Sequence, residues 1–354
     1  MEMQNKTELL GMNLKTLEDF LQLLGEPRFR ANQIFTWIYR KAVSSFYDMS
    51  DIPKELRIRL NEIAVISIPR VLKQRVSQDG TRKFLMEMQD KKRVETVILP
   101  QSLDKNTRYS LCISTQVGCP VGCGFCATGQ SGFQRNLTDF EMLGQVLGSR
   151  RELAKRLKTD DEQLITNVVY MGMGEPMLNF EEMIKSVRLL NDHRGINIGQ
   201  RHITISTAGE VRGIEKLAKT DLQVTLAISL HACTNELRDQ LIPLNRKYPL
   251  EMLMQAVRAY IAHSHRRVTF EYIMLDGVNI GINDAAAMVK LIKPLLANVN
   301  LIPYNEVTGL DFKKPPAAKI RQFYKWLTEG GLNVTLREER GADIEAACGQ
   351  LSAK

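Results

Sequence analysis

Apolar residues recur at helical spacing in the first sixty positions, at Leu17, Phe20, Leu21 and Leu24 and again at Ile34, Phe35, Ile38 and Tyr39. Breaks fall at Gly25-Glu26-Pro27 and at Asp51-Ile52-Pro53. The pattern predicts a small helical accessory domain over residues 1–62. From Ile66 the period shortens to that of strands in VLKQRV, KFLMEM and RVETVILP, with turn signals at Gln78-Asp79-Gly80 and Gln89-Asp90-Lys91. A short antiparallel β extension over 63–104 is expected.

Beyond residue 110 strand-like and helix-like segments alternate. The strands are LCISTQ, NVVYMGMG, HITIST, VTLAISLH, RVTFEYIML, VNLIPYN and VTLREE, and the helices fall near 139–157, 181–191, 214–218, 250–263, 285–295 and 318–330. Such alternation implies parallel strands, and about six βα units fall short of the eight in a closed barrel. The expected fold is therefore α/β: an open, partial TIM-like barrel over 105–336, with a carboxyl-terminal tail over 337–354. No internal repeat or low-complexity tract interrupts it.

A chain of 354 residues with 44% hydrophobic content can bury a sizeable core. Its net charge of +8 is unevenly spread. Residues 1–62 balance nine Lys/Arg against nine Asp/Glu, whereas residues 63–110 set ten against five. Two readings fit the basic extension: a surface for RNA, or an edge that charge protects from strand-to-strand aggregation. The first residues, MEMQNKTELL, lack the basic and apolar regions of a secretory leader, and no apolar run approaches a membrane span. A soluble cytoplasmic protein is expected, and its six cysteines, being clustered, suit metal or redox chemistry in a reducing compartment.

Four of those cysteines lie in CISTQVGCPVGCGFCATG, the last three at Cys-x3-Cys-x2-Cys spacing. Cys119, Cys123 and Cys126 can hold three irons of a cubane cluster and leave the fourth iron open. A structural zinc would want a fourth protein ligand. Cys112, outside that spacing, suits a buried strand position as well as a chemical one. Downstream, VVYMGMGEP runs into Gly174 and Glu175, where close backbone approach and a carboxylate suit a bound ammonium group. Ser206 in HITISTAG, Ser229, Leu230 and His231 in LAISLHA, and Asn305 in LIPYN fall at the carboxyl ends of strands, where a barrel builds its site. Cys348 in GADIEAACGQL has small neighbours that permit close approach by a bulky cofactor, on a tail expected to fold back over the barrel mouth. Cys233 has no motif, and the patch His263, His265, Arg266 and Arg267 suits the charge preference of a helix end.

Together CISTQVGCPVGCGFCATG, GFQRNLT, MGMGEPMLN, ISTAG, SLHA, LIPYN and GADIEAACGQL resemble the RlmN/Cfr family of radical S-adenosylmethionine RNA methyltransferases over nearly the whole chain. The resemblance implies a [4Fe-4S] cluster on Cys119, Cys123 and Cys126. It implies two S-adenosylmethionine molecules per turnover, one as methyl donor and one as radical source, with Gly174, Glu175, Ser206, Ser229, Leu230, His231 and Asn305 at the cofactor. Cys348 is then the methyl-accepting residue, from which a 5'-deoxyadenosyl radical abstracts hydrogen before the carbon adds to adenine. Cys112 would resolve the resulting adduct through a transient disulfide with Cys348, and Glu95 in RVETVILP would accept a proton.

The same resemblance implies 23S rRNA and tRNA as partners, an electron donor such as flavodoxin or ferredoxin, and a monomer without membrane contact. Pro176 after MGMGE and the length of the amino-terminal region fit the branch that methylates carbon 2 of adenosine 2503 in rRNA and adenosine 37 in tRNA. Methylation of carbon 8 of the rRNA base, a non-catalytic iron-sulfur RNA-binding protein, and a radical enzyme that activates another protein by making a glycyl radical are the alternatives.

Overall fold

The computed structural model describes residues 6–102 and 107–353; the domain boundary expected at 104/105 lies outside the described residues. Three helices build the amino-terminal part: α1 (Leu14–Leu23), α2 (Phe29–Phe35) and α3 (Lys54–Ile63). Asn13 caps α1 by accepting the Thr16 amide, and the helix buries Leu14, Leu17 and Leu21. A wider π-helical turn, Thr36–Arg40, continues α2 and carries Ile38 and Tyr39 into the same core. The helical spacing of apolar residues thus marks the buried faces, although Phe20 and Leu24 are only partly covered.

Ten strands form one sheet: β1 (Arg70–Val76), β2 (Arg82–Glu87), β3 (Arg93–Pro100), β4 (Tyr109–Cys112), β5 (Ile165–Tyr170), β6 (Ile203–Thr207), β7 (Thr225–Ser229), β8 (Val268–Met274), β9 (Ala297–Pro303) and β10 (Val334–Leu336). Spatial order follows chain order throughout. From β4 to β10 every neighbouring pair is parallel. The crossovers carry α4 (Asp139–Leu157), α5 (Phe180–Asn191), α6 (Val211–Ala218), α7 (Asn235–Leu241), α8 (Leu250–Ser264), α9 (Ile282–Ile292) and α10 (Ala317–Glu329). Six crossovers between seven parallel strands give the open barrel, whose strands deliver their carboxyl ends to one mouth.

Two features refine this picture. The β extension is continuous with the barrel sheet, because β3 pairs antiparallel with β4 and sets Val97 opposite Cys112. Basic residues of β1 such as Arg70 and Lys73 are consequently exposed at one edge of the barrel sheet itself. The short α7 has no counterpart in the apolar pattern; Thr234 caps it by accepting the Leu237 amide. Among the described residues no helix is long and apolar enough to cross a membrane.

Candidate active site

The three-cysteine loop starts from a small hairpin, Gln116–Gly118 paired with Phe133–Asn136, and ends in a helical turn, Ala127–Gln130. Gly118 has φ +77°, and a Cβ there would sit 1.7 Å from the Gly132 carbonyl oxygen, so a side chain would break the hairpin. Cys119, Cys123 and Cys126 pack against an apolar group at the mouth that includes Val121, Phe125 and Tyr304. Burial pushes the Cys119 thiol up to about 12 and the Cys123 thiol well above its ordinary range, with the neighbouring cysteines adding to both. A cationic iron-sulfur core would relieve that penalty, since it would bind the thiolates themselves. No group of three or more His, Cys, Asp or Glu among the described residues is placed to hold a single metal ion. A cubane, whose thiolates sit on separate irons, makes no such demand, and the three thiols on one loop fit it.

Opposite the loop, the strand ends converge on a cavity of about 220 Å³. Gly174 has φ +103° and passes so close to Gln116 that a Cβ would lie 2.6 Å from that side chain. The Glu175 carboxylate is buried, accepting from the amides of Met177 at 3.0 Å and Ala208 at 2.7 Å. Burial raises its pKa to about 7 despite those bonds. Glu175 therefore braces the backbone of two strand ends and gives each carboxylate oxygen an amide partner.

Ser206 and Ser229 line the same cavity from β6 and β7, together with His231 and Asn305. His231 sits at φ +55° with Nδ1 accepting from the Ile273 amide, and burial drops its pKa to about 3, so the ring is neutral. The Asn305 Oδ1 is buried with no donor, an acceptor available to a bound cofactor. The side chain of Leu230, between Ser229 and His231, is fully buried in the hydrophobic core, and its backbone amide donates to the Glu271 carbonyl at 3.0 Å.

That backbone meets an arginine which the sequence pattern did not single out. Arg238, on α7, is fully buried and donates to the carbonyls of Ala208 (2.7 Å), Ser229 (3.0 Å) and Leu230 (3.1 Å) and to Asn245 Oδ1 (2.9 Å). Burial lowers its pKa to about 10, partly offset by the charge of Cys123. One guanidinium thus ties the ends of two barrel strands together behind the cysteine loop. Within NELRDQL it reads as a solvated helix residue, and no local signal distinguishes it.

The tail returns over the mouth. The Ala127 amide donates to the Gly349 carbonyl at 2.8 Å, Thr128 Oγ1 donates to the Leu351 carbonyl at 2.6 Å, and Asn305 Nδ2 reaches the Cys348 carbonyl at 3.5 Å. Cys348 and Cys112 thereby face one cavity with the three-cysteine loop. Cys112 is buried, which pushes its thiol up to about 12, and Cys348 adds to the shift. All six cysteines are free thiols.

Glu95 occupies a different position. Its carboxylate belongs to an adjacent cavity of about 520 Å³, where Oε1 lies 3.0 Å from Lys83 Nζ and Oε2 accepts from the Ser352 amide at 2.8 Å. The expected proton acceptor is thus in a buried ion pair beneath the tail, on a strand whose basic neighbour Lys83 also donates to the Glu345 carbonyl at 2.8 Å.

An open barrel with a three-thiolate loop at its mouth is the architecture of a radical S-adenosylmethionine enzyme, and residues 113–290 match the Radical SAM superfamily. Residues 7–66 match the ribosomal RNA large subunit methyltransferase N-terminal domain. A probable dual-specificity RNA methyltransferase RlmN from Syntrophomonas wolfei is 68% identical over 98% of this chain and 97% of its own length. A dual-specificity RNA methyltransferase RlmN from Halorhodospira halophila is 46% identical over 97% of this chain and 93% of its own length. The crystal structure of a radical SAM methyltransferase from Sphaerobacter thermophilus superposes with a TM-score of 0.92 at 42% identity, covering 98% of this chain and all of that one. The chain belongs to the RlmN family of radical S-adenosylmethionine RNA methyltransferases. Its cofactors are a [4Fe-4S] cluster and S-adenosylmethionine.

Proposed function

We propose that this enzyme methylates carbon 2 of adenosine 2503 in 23S rRNA and of adenosine 37 in tRNA, with Cys348 as the methyl carrier and Cys112 as the thiol that releases the product. The observation that carries this reading is the meeting of Cys112 and Cys348, 236 positions apart in sequence, in one cavity with the cysteine loop. Cys119, Cys123 and Cys126 would hold the cluster, which when bound would supply the electron for reductive cleavage of S-adenosylmethionine. The residues of the chain do the rest. Ser206, Ser229, His231 and Asn305 line the space for the cofactor, Gly174 lets the backbone approach it, and Glu175 and Arg238 hold the strand ends in place.

The exposed basic strand β1 and the helical segment 1–62 are the surfaces proposed for RNA. Phosphate contacts there predict binding that weakens with salt. Glu95, paired with Lys83 beneath the tail, is proposed to accept the proton lost from carbon 2 once the tail shifts. A small electron carrier, flavodoxin or ferredoxin, is proposed as reductant, acting on a cytoplasmic monomer organised as residues 1–62, 63–104, 105–336 and 337–354.

The test is anaerobic turnover with purified 23S rRNA fragment and tRNA, followed by nucleoside mass spectrometry against 2-methyl and 8-methyl adenosine standards. The 2-methyl product in both RNAs is expected. An 8-methyl product, or unmodified RNA from protein that cleaves S-adenosylmethionine, overturns the assignment.

A further inference from the structure

A cysteine that takes a methyl group from a sulfonium must first lose its proton, because the thiolate lone pair forms the new carbon–sulfur bond as the sulfonium–methyl bond breaks and S-adenosylhomocysteine departs. The cavity that holds Cys348 and Cys112 is poorly suited to that charge. Its apolar walls drive Cys112 toward the neutral thiol. A positive group nearby has to compensate.

The ionisable groups that line this cavity with Cys348 are Cys119, Cys123 and Cys126 of the loop, Cys112 on β4, Glu271 on β8, and Arg337, Glu338, Glu339 and Arg340 in the segment leaving β10. Most are committed elsewhere. Glu339 pairs with Lys314 at 2.5 Å, Arg340 donates to the Pro100 carbonyl, and Arg340 lies 3.6 Å from Glu338. Glu175 and His231 line the cavity too, occupied with the backbone contacts described above.

Arg337 differs. Its backbone amide donates to the Leu301 carbonyl at 2.9 Å, which fixes the residue at the carboxyl end of β10. Its Nη1 lies 3.7 Å from Glu271 Oε2, too far for a hydrogen bond, and that oxygen is buried without a donor. The other Glu271 oxygen accepts from Asn300 Nδ2 at 2.9 Å, which holds the carboxylate in place. Among the described residues the Arg337 side chain donates no hydrogen bond of its own. It is a guanidinium loosely tethered by a buried carboxylate, with its donors free, lining the cavity that the two thiols also line.

We propose that Arg337 is a positioning residue for methyl loading, holding Cys348 as a thiolate in the cavity, with Glu271 anchoring the guanidinium. This rests on the reading of Cys348 as methyl carrier. The electrostatics agree, since a charged Cys348 is the foremost influence raising the Arg337 pKa, and Glu271 and Cys112 act in the same sense.

The test uses the anaerobic holoenzyme and reads the rate at which iodoacetamide carbamidomethylates the unmethylated fraction of Cys348, by mass spectrometry of the carboxyl-terminal peptide over about pH 6 to 10. Arg337→Gln, which keeps polarity and loses charge, is expected to raise the midpoint by about one pH unit and to slow alkylation at neutral pH about tenfold. Arg337→Lys restores most of the wild-type profile. A wild-type profile in Arg337→Gln overturns the proposal, as does failure of Lys to rescue. Loss of RNA affinity with an unchanged alkylation profile overturns it as well, and makes Arg337 an RNA contact. The carrier reading is tested separately in the same spectra: absence of any methylated Cys348 peptide in protein made with S-adenosylmethionine removes that reading, whatever the alkylation profile.

Discussion

Lys83 Nζ stands 3.0 Å from Glu95 Oε1, and with side-chain exposures of 6% and 4% the pair is sealed beneath the tail. Its two members also hold the tail itself, Lys83 through the Glu345 carbonyl and Glu95 through the Ser352 amide. Removing one partner of a buried pair strands the other charge. Lys83→Met is expected to lower stability by about 3 kcal/mol, read by denaturant unfolding, and to speed proteolytic clipping near Gly341. An unchanged clipping rate would show that the pair does not latch the tail.

Cys112→Ala is expected to leave methyl loading intact and to trap an RNA–protein adduct through Cys348. Denaturing gels and peptide mass spectrometry read it directly. Normal multiple turnover in this variant removes the resolving role.

Gly129 has ordinary backbone angles, yet a Cβ there would lie 2.8 Å from the Cys123 carbonyl oxygen and 2.9 Å from its nitrogen. Gly129→Ala must therefore push the cysteine loop outward. Iron and sulfide content is expected to fall at least about twofold while far-UV circular dichroism stays unchanged, because the clash strikes the loop and leaves the barrel core alone. Full cluster content would show that the loop accommodates the methyl group.

Buried His231 gives a pH dependence whose sign can be worked out. Its folded pKa, about 3, lies below the ordinary 6.5, so between those values the unfolded chain binds the proton that the native ring refuses. Stability contributed by the neutral ring is complete above pH 6.5 and falls with pH, by about 1.4 kcal/mol for each unit, toward pH 3. Glu175 acts oppositely: its folded pKa of about 7 lies above the ordinary 4.5, so it favours the fold at low pH and loses that contribution as pH rises from 4.5 to 7. The two offset one another between pH 4.5 and 6.5. Below pH 4.5 His231 acts without that offset, and His231→Asn is expected to flatten the acid limb of an unfolding curve measured there. Coincident wild-type and variant limbs would rule this out.

Much of this was legible in the sequence because its periods are strong. Helices expected near 139–157 and 250–263 are found at Asp139–Leu157 and Leu250–Ser264, where a capping box at Thr138 and the strand-helix alternation agree. The site was legible where chemistry is written locally, in Cys-x3-Cys-x2-Cys and at strand ends such as Ser206, Ser229 and Asn305. It was not legible where function depends on tertiary burial. Arg238 lies on a seven-residue helix too short for an apolar stripe, and its burial comes from the carbonyls of two other strands. Arg337 could have been found, since VTLREE places it at a strand end like the others. Glu95 shows the reverse: the sheet alternation gave its strand, and nothing local said that Lys83, diagonally across on the neighbouring strand, would be sealed with it.

Two of the hydrogen bonds that dock the tail come from Ala127 and Thr128, immediately after the last cysteine of the loop. The segment proposed to grip iron is therefore also a berth for the thiol proposed to carry the methyl group. On the proposed reading, a chain that has lost its cluster forfeits more than an electron source: with the loop slack, the tail loses two of the moorings that flank Cys348, so damage at the iron is carried over to the thiol proposed to load the methyl group.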